Sequence, residues 1–516
     1  MTRLRASHGE RTVTVQARPG ATLREALEPT ELQVRTGCNG NGSCGLCRVR
    51  VRSGAVSAPT ETERLHHALE AGLRLACQTV ALDDVVLEVE GLAPCTAWTP
   101  LPAEALAGPE RRPAAPRRAA AARIALDVGT SNLNLALWNA QGSRRLAGLR
   151  GCNPQAGFGS DIMTRLLAAR DPAVARRLAG SVARAVASGL QDLALDDAAP
   201  AGPCSIIAVG NTAMLALLRG AHDGLLEPRN WQDPAPWPER PPLRWDLFGQ
   251  RRAAVQLVPP LGGFVGSDLL AAALAAGLLE GDAPALLTDF GTNTEIALWD
   301  GATLWVTSAA GGPAFEACGL GCGVPADPGA IFRVRPGAPL SFDVLGGTTP
   351  HGVCGTGLVD WIACLVRSGR LSPRGNLTDG PAPSLGAAGG GITLHKRDVD
   401  LFQRAKAAIG AGILVLLQRA GLAAGDLRRV VTTGLFGRGL DIPNAQALGL
   451  LPTVPVHRVE AYDNLALAGC EAMVTSPAGP RLLEPLRARA RLINLARCGE
   501  FEAAFVASLF LEPMES

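Results

Sequence analysis

The sequence has few aromatic residues and almost no excess of charge of either sign. Phe, Trp and Tyr make up 4% of its 516 residues, and only one Tyr is present. The 49 Lys and Arg residues nearly cancel the 47 Asp and Glu residues, which leaves a formal net charge of +2. Proteins that bind nucleic acid through their bulk charge carry a clear basic excess. We therefore expect no nucleic-acid partner.

Long apolar stretches are also missing. The longest, Leu269 to Leu279, has 11 residues, whereas a helix needs about 20 to cross a bilayer. Residues 1–15 do not contain the apolar segment of a signal peptide. The 13 cysteines are an odd number without the regular spacing of a disulfide scaffold. These absences predict a protein of the reducing cytoplasm without a membrane partner, in which several cysteines act as thiolates.

Changes of composition divide the chain into parts. Residues 1–92 contain short alternating runs such as Thr12-Val-Thr-Val-Gln16, which are typical of half-buried strands. Residues 93–122 are rich in Pro, Ala and Arg, which predicts a semi-rigid linker. Residues 123–516 form an Ala- and Leu-rich region with strands, helices and Gly-rich turns. The sequence therefore predicts a multidomain α+β protein with these three parts.

The first part contains the most specific motif, Cys38-Asn-Gly-Asn-Gly-Ser-Cys44-Gly-Leu-Cys47, with a further thiol at Cys77. Three closely spaced thiols and a distant fourth can surround a small iron–sulfur cluster, and the glycines allow the backbone to fold tightly around it. Zinc is the alternative, but zinc sites usually contain paired C-x-x-C or Cys/His motifs, and only one C-x-x-C occurs here. An iron–sulfur cluster is the favoured interpretation.

This motif resembles that of the two-iron two-sulfur (2Fe-2S) ferredoxins of β-grasp fold. The five residues between the first two cysteines are like those of the adrenodoxin-type branch. The resemblance covers about residues 10–92, and it implies that the ligands of a 2Fe-2S cluster are Cys38, Cys44, Cys47 and Cys77.

The third part contains an internal repeat. The segment Ile124-Ala-Leu-Asp-Val-Gly-Thr130 is similar to Leu286-Leu-Thr-Asp-Phe-Gly-Thr292, at an offset of 162 residues. A strand that ends in Asp, followed by a Gly turn and a Thr, places backbone N–H groups and a hydroxyl around a phosphate, while the carboxylate holds hydrated Mg²⁺. One such turn can arise for conformational reasons alone. Two copies predict two related lobes that bind a nucleotide between them.

A third turn follows a strand in Val430-Val-Thr-Thr-Gly434-Leu-Phe-Gly437. Its glycines would let the backbone approach an adenine or ribose closely, although a simple strand-to-helix turn is the alternative. Together the three turns resemble the superfamily of acetate and sugar kinases, heat-shock chaperone ATPases and actin. This resemblance implies a two-lobed α/β ribonuclease-H-like ATPase over 123–516, in which the first two turns bind phosphates and the third binds adenosine.

The candidate nucleotide site follows from these turns. Asp127 and Asp289 are the candidate catalytic residues, which position Mg²⁺ and phosphates, and Asp268 is a weaker polar candidate. The candidate ATP-binding residues of the two phosphate turns are Gly129, Thr130, Gly291, Thr292 and Asn293. Gly434 and Gly437 are expected to flank the nucleoside.

Further segments narrow the resemblance. Asn153–Arg165, Gly262–Asp268, Ser308–Glu316 and Cys354–Asp360 look like segments of the reductive activators of corrinoid-dependent methyltransferases. This resemblance spans nearly the whole chain. It implies ATP-dependent transfer of one electron from the 2Fe-2S cluster to the Co(II) of an inactivated corrinoid protein, which regenerates Co(I), and a homodimer formed by the ATPase domain. The upstream electron donor is unknown.

Two features depart from that family. Only the Pro-rich linker is expected between ferredoxin and ATPase, whereas family members carry an additional linker and middle domain. Thr294 occupies a position of the second phosphate turn where the family usually has Gly, so ATP binding is better supported than ATP turnover. Two other functions remain open: a redox-regulated small-molecule kinase, and a non-hydrolysing ferredoxin-type electron carrier or chaperone.

Overall fold

The computed structural model contains three large β-sheets and two small ones among its described residues. No helix in this part of the chain is long and apolar enough to cross a membrane. The structure describes residues 2–514 except 29, 39, 65–71, 93–97, 102–121, 160, 196–203, 228–236, 238–239, 248–251, 318, 379, 381 and 387–390.

The N-terminal module contains a five-stranded mixed sheet. Its elements are β1 (Thr2–His8), β2 (Arg11–Ala17), α1 (Leu23–Leu27), β3 (Arg48–Ser53), α2 (Glu61–Arg64), β4 (Arg74–Leu75) and β5 (Val85–Val89). The strand order is β2-β1-β5-β3-β4, with β1 and β5 parallel at the centre. Helix α1 begins after Thr22, which forms a capping box with Glu25. This strand order is that of the β-grasp fold, as predicted.

The first lobe of the C-terminal body contains a seven-stranded sheet. Its elements are β6 (Thr99–Pro100), β7 (Ala122–Val128), β8 (Asn132–Asn139), β9 (Arg145–Cys152), α3 (Ile162–Ala168), α4 (Pro172–Leu195), β10 (Cys204–Gly210), α5 (Thr212–Arg219), β11 (Leu243–Asp246) and β12 (Arg252–Leu257). The order is β11-β12-β10-β7-β8-β9-β6. Strands β7, β8 and β9 form an antiparallel meander, and β10 and β12 continue the sheet parallel to β7.

The second lobe repeats this topology in a six-stranded sheet. Its elements are α6 (Ser267–Ala275), β13 (Ala285–Phe290), β14 (Thr294–Trp299), β15 (Leu304–Ala309), α7 (Gly312–Phe315), β16 (Ala330–Arg335), β17 (Ser341–Val344), β18 (Gly352–Val353), α8 (Gly355–Arg367), β19 (Ser384–Leu385), β20 (Ile392–Thr393), α9 (Lys396–Ala420), β21 (Arg429–Thr433), α10 (Gly434–Gly439), α11 (Ile442–Ala447), β22 (Val459–Ala461), α12 (Leu465–Thr475), α13 (Glu484–Arg489), β23 (Ala490–Leu492) and α14 (Gly499–Ala507). The order is β22-β21-β13-β14-β15-β23. Strands β13 to β15 form the meander, and β21 and β22 run parallel to β13. Two such sheets confirm the two ribonuclease-H-like lobes.

Helices α6 and α12 lie between the two large sheets of the body. Their apolar side chains share one buried core with the facing residues of both sheets, including Ala125 of β7 and Leu287 of β13. The two helices approach closely at Gly469, where an added Cβ would lie 1.9 Å from the carbonyl oxygen of Ala271. This shared core fixes the position of strand β7 relative to strand β13.

Most of the predicted linker, residues 93–97 and 102–121, lies outside the described residues. Residues 98–101 lie on the first lobe. The indole N–H of Trp98 donates to the carbonyl of Ala185 at 2.9 Å, and β6 pairs with β9. Thr99 and Pro100 form an edge strand of the lobe. The predicted boundaries 1–92, 93–122 and 123–516 remain predictions.

Candidate functional site

The four predicted cluster ligands come together beside the N-terminal sheet. Cys38, Cys44 and Cys47 lie on the loop before β3, and Cys77 follows β4. All four are buried, with 1 to 8% of their surface exposed. The thiol of Cys38 is hydrogen-bonded to those of Cys44 and Cys77, which lowers the pKa of Cys38, and Cys47 is hydrogen-bonded to Cys77. Cys77 thus contacts both Cys38 and Cys47, and the four thiols form one continuous group.

The backbone of this loop has the shape that a buried group of thiolates requires. Gly40, Gly42 and Gly45 have positive φ values of 97°, 84° and 67°. Residues with a Cβ rarely adopt this backbone conformation. A Cβ on Gly42 would also lie 2.7 Å from Cγ2 of Thr62. The amide N–H of Gly37 donates to Sγ of Cys44 at 3.3 Å. Donors of this kind stabilise negative charge on sulfur.

The four thiols could bind either a zinc ion or a 2Fe-2S cluster, the two alternatives that the sequence left open. Within the described ranges, no group of three or more Cys, His, Asp and Glu side chains is placed around a single metal ion. Structural zinc sites collect four ligands around one centre. Four thiolates that hold a 2Fe-2S cluster are instead shared between two irons. A loop and a neighbouring turn that bring four buried thiols together fit the two-iron cluster predicted from the sequence.

The two Asp-x-Gly-Thr turns border one cavity of about 640 Å³ between the lobes. Ser131 Oγ and Thr292 Oγ1 are 2.8 Å apart, so the turns touch each other. The predicted residues that line the cavity are Asp127, Gly129, Thr130, Asp268, Asp289, Gly291, Thr292, Asn293 and Gly434. Gly437 is absent from the described lining residues. It packs behind the wall, where an added Cβ would lie 3.0 Å from the ring of Phe290.

Each turn has a tight backbone. A Cβ on Gly129 would lie 2.8 Å from the carbonyl oxygen of Asn132, and the N–H of Gly291 donates to the carbonyl of Asn293 at 3.0 Å. The buried Asn153 supports the first turn, because its Nδ2 donates to the carbonyl of Gly129 at 2.8 Å. Gly434 has a φ of 91°, and a Cβ there would lie 2.3 Å from the carbonyl oxygen of Phe290. The third turn therefore lies directly against the end of β13.

Four carboxylates of this wall interact electrostatically with one another: Asp127, Asp268, Asp289 and Glu295. Burial, with a smaller contribution from the neighbouring carboxylates, raises the pKa of Asp289 to about 7 and that of Asp268 to about 8. Burial also raises the pKa of Asp127, although hydrogen bonds from Asn464 and Asn134 act in the opposite direction. A bound cation would favour the ionised form of each group.

Several polar residues of the cavity were not among the sequence predictions. Asn134 and Asn464 donate to Oδ2 of Asp127, each at 2.9 Å. Arg150 donates to Asn134 at 2.8 Å and to Asp463 at 2.9 Å. Ser131 directly follows Thr130, so a second hydroxyl in the motif could have been noticed. The others reach the site from distant parts of the chain, and nothing in their local sequence indicates it.

Thr294 is completely buried at the start of β14 and lines the cavity. Its hydroxyl has no hydrogen-bond partner among the described residues. The side chain therefore adds an unpaired polar atom to the second phosphate turn.

The cysteine loop lies against the second lobe and contributes to the same cavity. The N–H of Gly319 donates to the carbonyl of Cys44 at 3.1 Å, and Arg35 forms an ion pair with Asp327 at 2.9 Å. Arg35, Thr36 and Leu46 of the N-terminal module line the cavity. Leu46 precedes Cys47 directly, so the loop that bears the thiols is part of the cavity wall.

Comparison with known proteins assigns three consecutive regions. Residues 7–82 match the 2Fe-2S iron-sulfur cluster binding domain, 122–281 match the RACo middle region, and 283–516 match the C-terminal domain of RACo, the ASKHA domain. The expectation that a middle domain is missing is therefore wrong. The middle region contains the first lobe from β7 onward, together with α6. The sequence repeat groups it with the ATPase because both lobes contain the same strand and turn.

Two curated relatives match part of the chain. The corrinoid activation enzyme RamQ of Eubacterium limosum is 35% identical over 250 residues, which is 44% of this chain and 42% of the relative. The [Co(II) methylated amine-specific corrinoid protein] reductase of Methanosarcina barkeri is 29% identical over 260 residues, or 44% and 46%. The chain thus spans less than half the length of either relative.

A solved structure described as a reductive activator for corrinoid, iron-sulfur protein matches the fold of the whole chain. The match covers 99% of both chains with a TM-score of 0.65 and 22% sequence identity. The N-terminal module and the two lobes therefore occur together in a known fold.

Proposed function

We propose that this chain, in which residues 122–281 and 283–516 match the RACo middle region and the C-terminal domain of RACo, is an ATP-dependent reductive activator of a corrinoid protein. In this proposal, one electron passes from the N-terminal module to the Co(II) of an inactivated corrinoid protein and regenerates Co(I) for methyl transfer. One observation carries the proposal: the loop with Cys44 and Cys47 forms part of the wall of the cavity between the two phosphate turns, through Leu46. An electron-carrying module and a nucleotide-binding body are thereby adjacent.

The four thiols account for the electron-transfer half of the proposal. Cys38, Cys44, Cys47 and Cys77 would together hold the two irons. A bound 2Fe-2S cluster supplies a single electron at low potential, about −400 mV in plant-type ferredoxins. The protein keeps water from the thiols by burying them, and the N–H of Gly37 stabilises charge on Cys44.

The two turns account for the nucleotide half. The hydroxyls of Thr130 and Thr292 and the N–H groups beside Gly129, Gly291 and Asn293 would bind the phosphates of ATP, and Gly434 would lie beside the nucleoside. Asp127 and Asp289 would hold Mg²⁺ through water. This suits the absence of a ready three-ligand group among the described residues, because Mg²⁺ usually keeps several waters and binds one or two carboxylates together with substrate phosphates.

An anaerobic optical titration tests the proposal. The reduced, cluster-loaded protein is mixed with a Co(II) corrinoid protein, with and without Mg-ATP, and the Co(I) absorption band is followed. We expect ATP-dependent appearance of Co(I). Cys44→Ser should abolish it because one iron ligand is lost, and Asp289→Ala should weaken the ATP response at least tenfold because Mg²⁺ positioning is lost.

A matched control uses Cys498→Ser, which changes a thiol in the α14 region, remote in sequence from the cluster loop, and should leave both responses unchanged. Lack of Co(I), despite an intact cluster and bound nucleotide, would exclude a corrinoid client among the partners tried.

The partner, oligomer and compartment complete the proposal. A corrinoid protein is the expected acceptor because both curated relatives are named for action on corrinoid proteins. The eleven described cysteines are free thiols, which suits a reducing cytoplasm. We keep the homodimer through residues 123–516 as a prediction, and the upstream donor stays unassigned.

A further inference from the structure

Glu316 binds both phosphate turns at once. Its carboxylate accepts a hydrogen bond from Ser131 Oγ at 2.8 Å and from Thr292 Oγ1 at 3.1 Å. Ser131 belongs to the first lobe and Thr292 to the second. Glu316 follows α7, lines the cavity and is part of neither turn. The carboxylate of Glu316 therefore occupies the hydroxyl of Thr292, which the proposed function assigns to a phosphate of ATP, and the neighbouring hydroxyl of Ser131.

The surroundings of Glu316 are built for an anion. Arg165 is completely buried and lines the same cavity. Burial raises the pKa of Glu316, while its hydrogen bonds with Ser131 and Thr292 and the positive charge of Arg165 act in the opposite direction. The Arg165 guanidinium donates through Nε to the carbonyl of Gly159 at 2.7 Å. Its Nη2 is buried without a hydrogen-bond partner among the described residues. A buried donor of this kind is costly unless an acceptor reaches it, and a phosphate oxygen is a suitable acceptor.

The chain runs directly from Glu316 to the cysteine loop. Ala317 has a φ of 70° and is the one non-glycine residue with a positive φ in the described part of the chain. An alanine in this backbone conformation is strained. Three residues after Glu316, the N–H of Gly319 donates to the carbonyl of Cys44. Asp327, farther along the same segment, pairs with Arg35. Within this part of the chain, Glu316 contacts the phosphate turns, and Gly319 and Asp327 contact the N-terminal module.

We propose that Glu316 is a positioning residue through which nucleotide binding releases the N-terminal module from the second lobe. The proposal rests on the proposed function, because it assumes that nucleotide phosphates enter at Ser131 and Thr292. A phosphate there repels the Glu316 carboxylate and competes for the same hydroxyls. When the carboxylate leaves, Ala317 can relax, and Gly319 loses its fixed position against Cys44. The thiol loop is then free to face a protein acceptor.

Coupling of this kind is reciprocal. A ligand shifts an equilibrium only by its different affinity for the two states, and two coupled sites change each other's affinity by the same factor. Loss of the carboxylate should therefore both loosen the contact of the thiol loop and tighten nucleotide binding. A carboxylate that merely fills space in the wall would do neither.

Amide hydrogen exchange tests this inference on the full-length, cluster-loaded protein without any corrinoid partner. Exchange is measured in peptides that cover 37–47 and 319–327, with and without the Mg²⁺ complex of a non-hydrolysable ATP analogue, whose affinity is measured by calorimetry. In the wild type we expect the analogue to speed exchange at least threefold in both peptides. In Glu316→Gln we expect this faster exchange without the analogue, and three- to tenfold tighter binding.

Asp343→Asn is the matched control, because it removes one exposed carboxylate of the second lobe that pairs with Arg335. It should change neither exchange nor affinity. If Glu316→Gln does not fold, Ser131→Ala removes one of the two hydroxyl donors and should also speed exchange in 319–327 without the analogue.

The outcomes separate this inference from the proposed function. Analogue binding that leaves exchange in 37–47 and 319–327 unchanged would overturn the inference alone. Equal affinity and equal exchange in wild type and Glu316→Gln would do the same. Absence of analogue binding to the wild type would overturn the nucleotide half of the proposed function together with the inference.

Discussion

At the residue scale, Asp289 is kept in a place where its charge is poorly solvated. Burial, and to a lesser extent Asp127, raises its pKa from 3.8 to about 7. The folded protein therefore binds this proton more tightly than the unfolded chain does. The stabilisation from the protonated group is complete below about pH 4, and it is lost as the pH rises through about 7.

We predict that Asp289→Asn removes this pH dependence. Each pKa unit corresponds to about 1.4 kcal/mol. Between pH 5 and pH 8, the free energy of unfolding of the variant should therefore rise relative to that of wild type by on the order of a few kcal/mol. Thermal unfolding without nucleotide or Mg²⁺ measures the effect, and the melting temperature of the variant should exceed that of wild type more at pH 8 than at pH 5.

The exposed Asp343 provides the control for this measurement. Its pKa is lowered by the Arg335 side chain, so it stays ionised throughout this pH range and Asp343→Asn should show the same difference from wild type at both pH values. An Asp289→Asn difference that is equal at pH 5 and pH 8 would contradict the prediction.

The residues of the site differ in how far the sequence could predict them. Asp127 and Asp289 could be found because each stands in a short motif, and the motif occurs twice. Glu316 could not be assigned a contact, because it lies 185 residues from Ser131 along the chain. Gly437 was placed beside the nucleoside from its spacing, but the turn of α10 directs it toward Phe290.

At the element scale, the close contact of α6 and α12 sets the separation of the two sheets. Gly469 of α12 has no room for a side chain, because the atom that an added Cβ would meet is the backbone carbonyl of Ala271. Backbone moves less readily than a side chain, so the helices themselves would have to separate.

We predict that Gly469→Ala destabilises the protein by roughly 1 to 3 kcal/mol, the usual range for overpacking. Urea unfolding measures the change. Gly425→Ala serves as the control, since an added Cβ there meets nothing within 4 Å, and it should leave stability nearly unchanged. Equal effects of the two substitutions would show that the helix contact is not tight in solution.

The repeat predicted the right elements but the wrong grouping of them. It located β7 and β13, each of which has an Asp as its second-last residue, and therefore a central strand of each sheet. It could not distinguish one two-lobed ATPase from a middle region followed by an ASKHA domain, because both lobes have the same strand order and share one core through α6 and α12. The family regions are defined by homology, whereas the internal repeat indicates only that the two lobes have similar strands and turns.

At the scale of the whole molecule, the N-terminal module has its own hydrophobic core. That core is formed by residues between Leu4 and Leu92, and it is separate from the cores of the two lobes. Among the described residues, polar contacts such as Arg35 with Asp327 connect the module to the second lobe. The module should therefore unfold as an independent unit.

We predict two transitions in calorimetry of the cluster-loaded protein, with the visible absorption of the cluster lost in only one. Cys77→Ser should lower the temperature of that transition, because bound metal stabilises only the folded module, and it should leave the other unchanged. Cys498→Ser should not move the cluster transition. A single transition that shifts as a whole in Cys77→Ser would contradict independent unfolding.

The two lobes also differ in the polar side chain that contacts each phosphate turn. The amide of Asn153 donates to the carbonyl of Gly129, and the carboxylate of Glu316 accepts from the hydroxyl of Thr292. Asn153 follows the third strand of its meander directly, whereas Glu316 follows α7. The duplicated fold is therefore symmetric in its strands but asymmetric in the groups that support its turns, and under our proposal only the turn with the acidic partner responds to an incoming anion.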